Sequence, residues 1–129
     1  MSLIDSDDFK TIVDLARKDE NIVALVLFGS YAKGNFKENS DVDLCIIRQS
    51  VDILPCEFDI LSFRDRKAFD ILFYDNLPDI IKFRIFSEGK ILVVNDKKKF
   101  LGIRRKFLHK FRDEYPYYEY NMRRMIANV

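Results

Sequence analysis

Apolar residues recur along this chain in two rhythms, one of three and four residues and one of two. Phe9, Ile12, Val13 and Ala16 fall at helical spacing, Ser6 stands where a cap belongs, and Asp7 and Asp8 follow in the first turn. The pattern predicts a helix from about Ser6 to Lys18. The run Ile22 to Phe28 is short, rich in β-branched residues and stopped by Gly29, as expected of a strand buried on both faces. Asp41 to Ile47 reads as a second strand, with a helical turn or two and a loop between. Ala68 to Tyr74 reads as a third, in which Phe69, Ile71 and Phe73 alternate with Asp70, Leu72 and Tyr74. Glu57 to Phe63 is ambiguous. Beyond Pro78, Ile80, Ile81, Arg84 and Ile85 predict an amphipathic helix that ends at Gly89, and residues 91–95 a short strand. Phe100, Ile103, Phe107, Phe111 and Tyr115 then mark a long helix broken by Pro116, followed by a helical tail from Tyr117 to Met125. The aromatic stripe of the long helix is read as core.

These elements make an α/β (or α+β) domain, a small mixed sheet flanked by helices. At 129 residues the length fits one domain over 1–129, with a catalytic core at about 20–95 and a C-terminal helical part at about 96–127. A chain 48% hydrophobic and 33% charged has the composition of a soluble globular protein, and no apolar run approaches the ~20 residues that cross a bilayer. The start, MSLIDSDD, lacks the basic and apolar regions of a signal peptide, so the expected compartment is the cytoplasm. Cys45 and Cys56 are too far apart for a C-x-x-C pair, and Cys45 lies in an apolar run, where a small buried residue is expected. A lone histidine, His109, sits among basic residues on the long helix and gives no support to Ser-His or Cys-His chemistry. Net charge is +1, but its distribution is uneven: acids crowd the first helix and bases the segment from Lys97 to Arg112.

Two features carry chemistry. Gly29-Ser30 closes a buried strand and opens a helical turn; glycine admits a ligand close to the backbone, and amides at a helix start with the Ser30 hydroxyl suit phosphate oxygens. Asp41-Val42-Asp43 begins the next strand. Residues i and i+2 share a face, about 7 Å apart by strand rise, so two carboxylates project together and need a compensating charge. A hard divalent cation supplies it, and Mg²⁺ takes one or two carboxylates plus substrate phosphates. Asp70, in a strand of Phe, Ile and Leu, is the third candidate; an unpaired acid there would be costly unless it met Arg64 or Arg66. These pieces suggest two Mg²⁺ ions about 4 Å apart, held by Asp41, Asp43 and Asp70, with Asp70 helping to draw the proton from an acceptor hydroxyl. Gly29, Ser30 and Lys33 would hold the triphosphate of ATP or another NTP.

GSYAKGNFKENSDVDL resembles the signature of the polymerase β-like nucleotidyltransferase superfamily, G-S-x-A-x-G followed by S-D-x-D-L, with Asp70 where the family places its third carboxylate. The short length, the EGKILVVND segment and the basic-aromatic last helix resemble the minimal nucleotidyltransferases (MNT). By this resemblance the catalytic and metal residues are Asp41, Asp43 and Asp70, and Ser40 joins Gly29, Ser30 and Lys33 at the nucleotide. Lys33 departs from the arginine that many relatives carry. The resemblance implies Mg²⁺-dependent transfer of a nucleotide, AMP from ATP, with a HEPN-domain protein as partner. Some MNT proteins are antitoxins that adenylylate a tyrosine of a HEPN ribonuclease.

Two other readings compete. A nucleotide-binding or HEPN-binding module without turnover has no use for a costly acidic cluster. A small-molecule nucleotidyltransferase of the aminoglycoside type carries an additional helical domain. Expected partners are therefore a nucleotide, a HEPN-type protein and a further copy of the chain, with RNA left open and no membrane.

Overall fold

The computed structural model describes residues 3–37, 40–52, 55–65 and 68–115. Its centre is a four-stranded mixed sheet built from β1 (Ile22–Phe28), β2 (Val42–Arg48), β3 (Phe69–Phe73) and β4 (Lys90–Val94), in the order β3-β2-β1-β4. β1 runs antiparallel to both β2 and β4, while β2 and β3 are parallel. The helices are α1 (Asp7–Lys18), α2 (Ser30–Lys33), α3 (Pro55–Leu61), α4 (Asp79–Glu88) and α5 (Lys97–Glu114), with short 3-10 turns at Leu3–Asp5, Ser62–Asp65 and Tyr74–Asn76. The mixed sheet and flanking helices are those expected from the apolar rhythm. The ambiguous segment resolves into α3 and the 3-10 turn that follows it.

The strand pattern sorts side chains between two faces. Leu25 and Leu27 of β1, Val42, Leu44 and Ile46 of β2, and Phe69, Ile71 and Phe73 of β3 pack with Ile12 and Ala16 of α1 and Ile60 of α3. Val23, Val26, Cys45 and Ile47 pack on the other face with Ile85 of α4 and Phe100 of α5. Both layers bury β1, whose first six residues are all inaccessible. Ser6 caps α1 by accepting from the Phe9 amide at 3.2 Å, and Asp96 caps α5 by accepting from Lys99 at 3.0 Å. At the joint between α1 and β1 the Asn95 amide lies within reach of the carbonyls of Ala16, Asp19 and Ile22, and so ties α1 to the end of β4.

α4 and α5 differ from the simple stripe. Ile80 is exposed, whereas Phe83 is buried and stacks on Phe111 with ring centroids 4.8 Å apart. The i, i+1 and i+5 positions of a helix do not share one face, and the larger aromatic wins the inward position. On α5, Phe100, Phe107 and Phe111 are buried, Ile103 is half-buried and Tyr115 is exposed while leaning on Phe111 at 4.9 Å. The tail beyond Tyr115 lies outside the described residues. Among the described residues no helix is long and apolar enough to cross a membrane.

Because Phe111 closes the aromatic stack between α4 and α5, Phe111→Ala should cost about 3–4 kcal/mol of stability. Urea unfolding should show the loss as a lower midpoint at an unchanged slope.

Candidate active site

At the C-terminal end of β1 the chain turns sharply into α2. Gly29 makes the turn at φ 75°, ψ −154°, a conformation that a side chain resists. A Cβ there would also collide with the Asp43 carboxylate, so glycine is required twice over. Phe28 is the register partner of Asp43 across the antiparallel pair, which sets the turn against the start of β2. Gly34, at φ 77°, ends α2 and turns the chain back, its amide donating to the Ser30 carbonyl.

On the other side of β2, Asp43 is the register partner of Asp70 across the parallel pair. Two carboxyl groups on neighbouring strands, on one face, lie within hydrogen-bonding reach of each other. Partial burial first, then the charges of Asp70 and Asp41 and the bond to Asp70, push the Asp43 carboxyl up to about 6 from its usual 3.8. Asp41 sits one residue before the strand and is exposed. Asp70 is exposed as well, on an edge strand, so burial cost is not what singles it out; its like-charged neighbour is. Nor does Arg64 neutralise it: the Arg64 Nε donates to the Ile71 carbonyl at 2.8 Å. Arg66 lies outside the described residues.

A cleft of about 340 Å³ opens beside Asp43, lined by Phe28, Gly29, Ser30, Lys33 and Asn35 and, from α4, by Ile81, Arg84 and Glu88. Lys33 Nζ pairs with Glu88 Oε2 at 3.2 Å, the Glu88 side chain being nearly buried. Of the sequence candidates, Gly29, Ser30, Lys33 and Asp43 meet in this cleft, while Asp41 and Asp70 flank Asp43. Ser40 does not line it: its hydroxyl accepts from the Lys37 amide at 2.7 Å and its own amide donates to Lys37, closing the loop before β2. Asn35, Arg84 and Glu88 were not singled out as site residues. Ile81, Arg84 and Glu88 recur at three and four residues along α4, a signal present in the sequence whose direction depends on which face Phe83 and Ile85 bury.

Among the described residues no three acidic, sulfur or imidazole side chains gather tightly enough to hold an ion as they stand. Asp43 and Asp70 touch, and Asp41 acts on Asp43 through its field. The donor set is oxygen alone, paired and short of positive charge, which fits a hard divalent cation better than zinc.

Residues 10–98 match the profile of the family described as polymerase beta, nucleotidyltransferase, and the chain belongs to that family. A Methanocaldococcus jannaschii protein named "putative protein adenylyltransferase" is 32% identical over 71 residues, and the matched segment spans 55% of each chain, about half the length of that relative. Among solved structures, a toxin-antitoxin with AMP-PNP superposes with a TM-score of 0.60 at 19% identity, over 96% of this chain and 98% of that one. The MNT antitoxin complex with the tri-AMPylated HEPN toxin of Shewanella oneidensis gives a TM-score of 0.54 at 17% identity, over 95% of each chain. At such identities the likeness is one of fold.

The raised Asp43 carboxyl has a definite sign for stability. The folded chain holds that proton more tightly than the unfolded chain, so ionised Asp43 disfavours the fold above pH 6, and the effect fades as pH falls to about 4. Asp43→Asn should therefore raise the melting temperature of the metal-free protein at pH 8, the gain in stability being no more than about 1 kcal/mol for a half-exposed group. At pH 4 the two proteins should melt together. Gly29→Ala, by contrast, should lower the melting temperature at both pH values.

Proposed function

We propose that this chain transfers AMP from ATP to a hydroxyl group of a protein partner, a tyrosine of a HEPN-type protein, as an MNT antitoxin does. The observation that carries the reading is the register pair of Asp43 and Asp70 beside a turn whose glycine abuts Asp43. Support comes from the relative named for protein adenylylation and from the fold shared with the AMP-PNP and AMPylated-toxin complexes.

Asp41, Asp43 and Asp70 would hold magnesium, Asp41 by swinging its exposed side chain toward the other two. Bound there, the ion supplies neutralisation of the triphosphate and polarisation of the acceptor hydroxyl. Gly29 leaves the backbone bare for the phosphates, and the Ser30 hydroxyl with the amides of the first turn of α2 donates to them. Asp70, exposed on the edge strand, is open to an incoming acceptor and is placed to take its proton. The acceptor hydroxyl attacks the α-phosphorus of ATP, the bond to the β-phosphate oxygen breaks, and pyrophosphate leaves.

The acceptor brings its own binding surface, and α5 is the surface offered to it. Lys97, Lys98, Lys99, Arg104, Arg105, Lys106 and Lys110 are all exposed, since Phe100, Phe107 and Phe111 take the inward face. Between the charges, exposed Leu101 and half-buried Leu108 line a cavity of about 790 Å³. Basic residues around a small apolar centre suit a protein interface with an acidic rim.

Calorimetry should show ATP binding that needs Mg²⁺ or Mn²⁺ and is lost in Asp41→Asn/Asp43→Asn; equal affinity in EDTA would remove the metal site. Ser30→Ala should weaken ATP by about 1–2 kcal/mol, the scale of a charge-assisted hydrogen bond. Incubation with labelled ATP and the product of the neighbouring gene should give an AMP adduct by mass spectrometry that Asp43→Asn abolishes. Transfer to RNA or to a small molecule alone would overturn the protein-acceptor reading while leaving nucleotidyl transfer standing.

A further inference from the structure

The cleft beside Asp43 carries two cations, Lys33 from α2 and Arg84 from α4. A triphosphate entering it needs positive charge that is not already committed. Lys33 is committed: its ammonium lies 3.2 Å from Glu88, whose side chain is 8% exposed. A carboxylate so nearly shut off from water is strongly disfavoured without its partner, so Lys33 cannot turn to a phosphate without stranding Glu88. The pair adds no net charge to the cleft. Arg84 makes no ion pair or hydrogen bond among the described residues, and the residue is exposed.

The placement of Arg84 is fixed by packing. Phe83 is locked against Phe111, and Ile85 is buried against the sheet beside Val26 and Cys45. At the end of α4, Gly89 fits where a Cβ would meet both Val26 and the Ile85 carbonyl, which holds the helix close to β1. With those two residues inward, Ile81, Arg84 and Glu88 form the stripe that faces the cleft. Guanidinium offers a planar fork of donors matched to phosphate oxygens, which an ammonium does not.

We propose that Arg84, and not Lys33, is the cation of this chain that grips the nucleotide's triphosphate, with Glu88 holding Lys33 back from it. The inference rests on the reading of the cleft as the nucleotide site and assigns a residue of α4, outside the glycine-serine and aspartate segments, to phosphate recognition. Glu88 then limits affinity, since it withholds a second positive charge from the phosphates.

Calorimetric titration of the full-length chain with ATP and Mg²⁺ tests this directly. Arg84→Gln should weaken binding about tenfold or more, as loss of a charge-assisted pair does, with Arg84→Lys intermediate. The melting temperature should not change, because Arg84 is exposed. Glu88→Gln should tighten binding by about threefold as Lys33 is released to the phosphates, and the gain should vanish in Lys33→Met/Glu88→Gln. Arg84→Gln within about twofold of the native affinity would overturn the assignment, as would weaker binding in Glu88→Gln, which would mean that Glu88 aims Lys33 at the phosphate. Asp43→Asn separates the two levels of the argument. If it abolishes ATP binding while Arg84→Gln is silent, the assignment of Arg84 fails alone. If both are silent, the nucleotide lies elsewhere and the reading of the cleft fails with it.

Discussion

The contact between Asp43 and its two neighbours, Gly29 on one side and Asp70 on the other, sets the geometry of everything around it. β1 must end in a residue without a side chain, because Asp43 already occupies the space a Cβ would need. β3 must pair with β2 in one register, because a slip of one residue would turn Asp70 to the opposite face, into the layer packed by Phe69, Ile71 and Phe73. The sheet order follows from the same demand. β1, β2 and β3 have to be neighbours in space for a glycine turn and two carboxylates to meet, although about forty residues separate Gly29 from Asp70 in the chain.

Repulsion at that point is tolerated because the rest of the sheet outweighs it. The partners of the parallel pair on either side of Asp43 and Asp70 are apolar: Val42 with Phe69, Leu44 with Ile71, Cys45 with Leu72 and Ile46 with Phe73. At the far end of β2, Arg48 makes a two-point pair with Asp75 at 2.9 and 2.8 Å and lies 3.9 Å over the Phe73 ring. The bond holds the Asp75 carboxyl below the usual carboxylate range and raises the Arg48 guanidinium further. This clamp fastens β2 to the end of β3, away from the acidic end, so the strands are joined by charge at one end and pushed apart by it at the other.

Much of this was legible in the residues. Alternation in Ala68 to Tyr74, the apolar run Ile22 to Phe28 and the cap at Ser6 are local signals, and local signals survive folding when tertiary contacts agree with them. The glycine turn and Asp43 stood out because they lie within fifteen residues of sequence; that Asp70 is the acid Asp43 touches follows from the pairing of β2 with β3. What escaped the sequence was contributed by α4. Whether Arg84 or Ile80 borders the cleft depends on Phe83 finding Phe111 nearly thirty residues away, and no local rule ranks those faces. Ser40 was carried to the nucleotide by its place in a motif, yet its hydroxyl closes a turn with Lys37. The exposure of Asp70 was equally out of reach, since an apolar strand at a sheet edge has the same composition as one at its centre.

The parallel pairing of β2 with β3 has a consequence for the order in which the molecule assembles. β3 lies at the margin of the sheet and reaches it through a crossover that includes α3, so its docking closes a longer loop than the docking of β2 on β1 does. The glycine turn and Asp43 lie on one antiparallel pair, β1 with β2, while Asp70 joins them only when β3 pairs with β2. Amide exchange along β3 would report on that margin, and the pairing of Asp43 with Asp70 lasts no longer than this edge strand stays zipped.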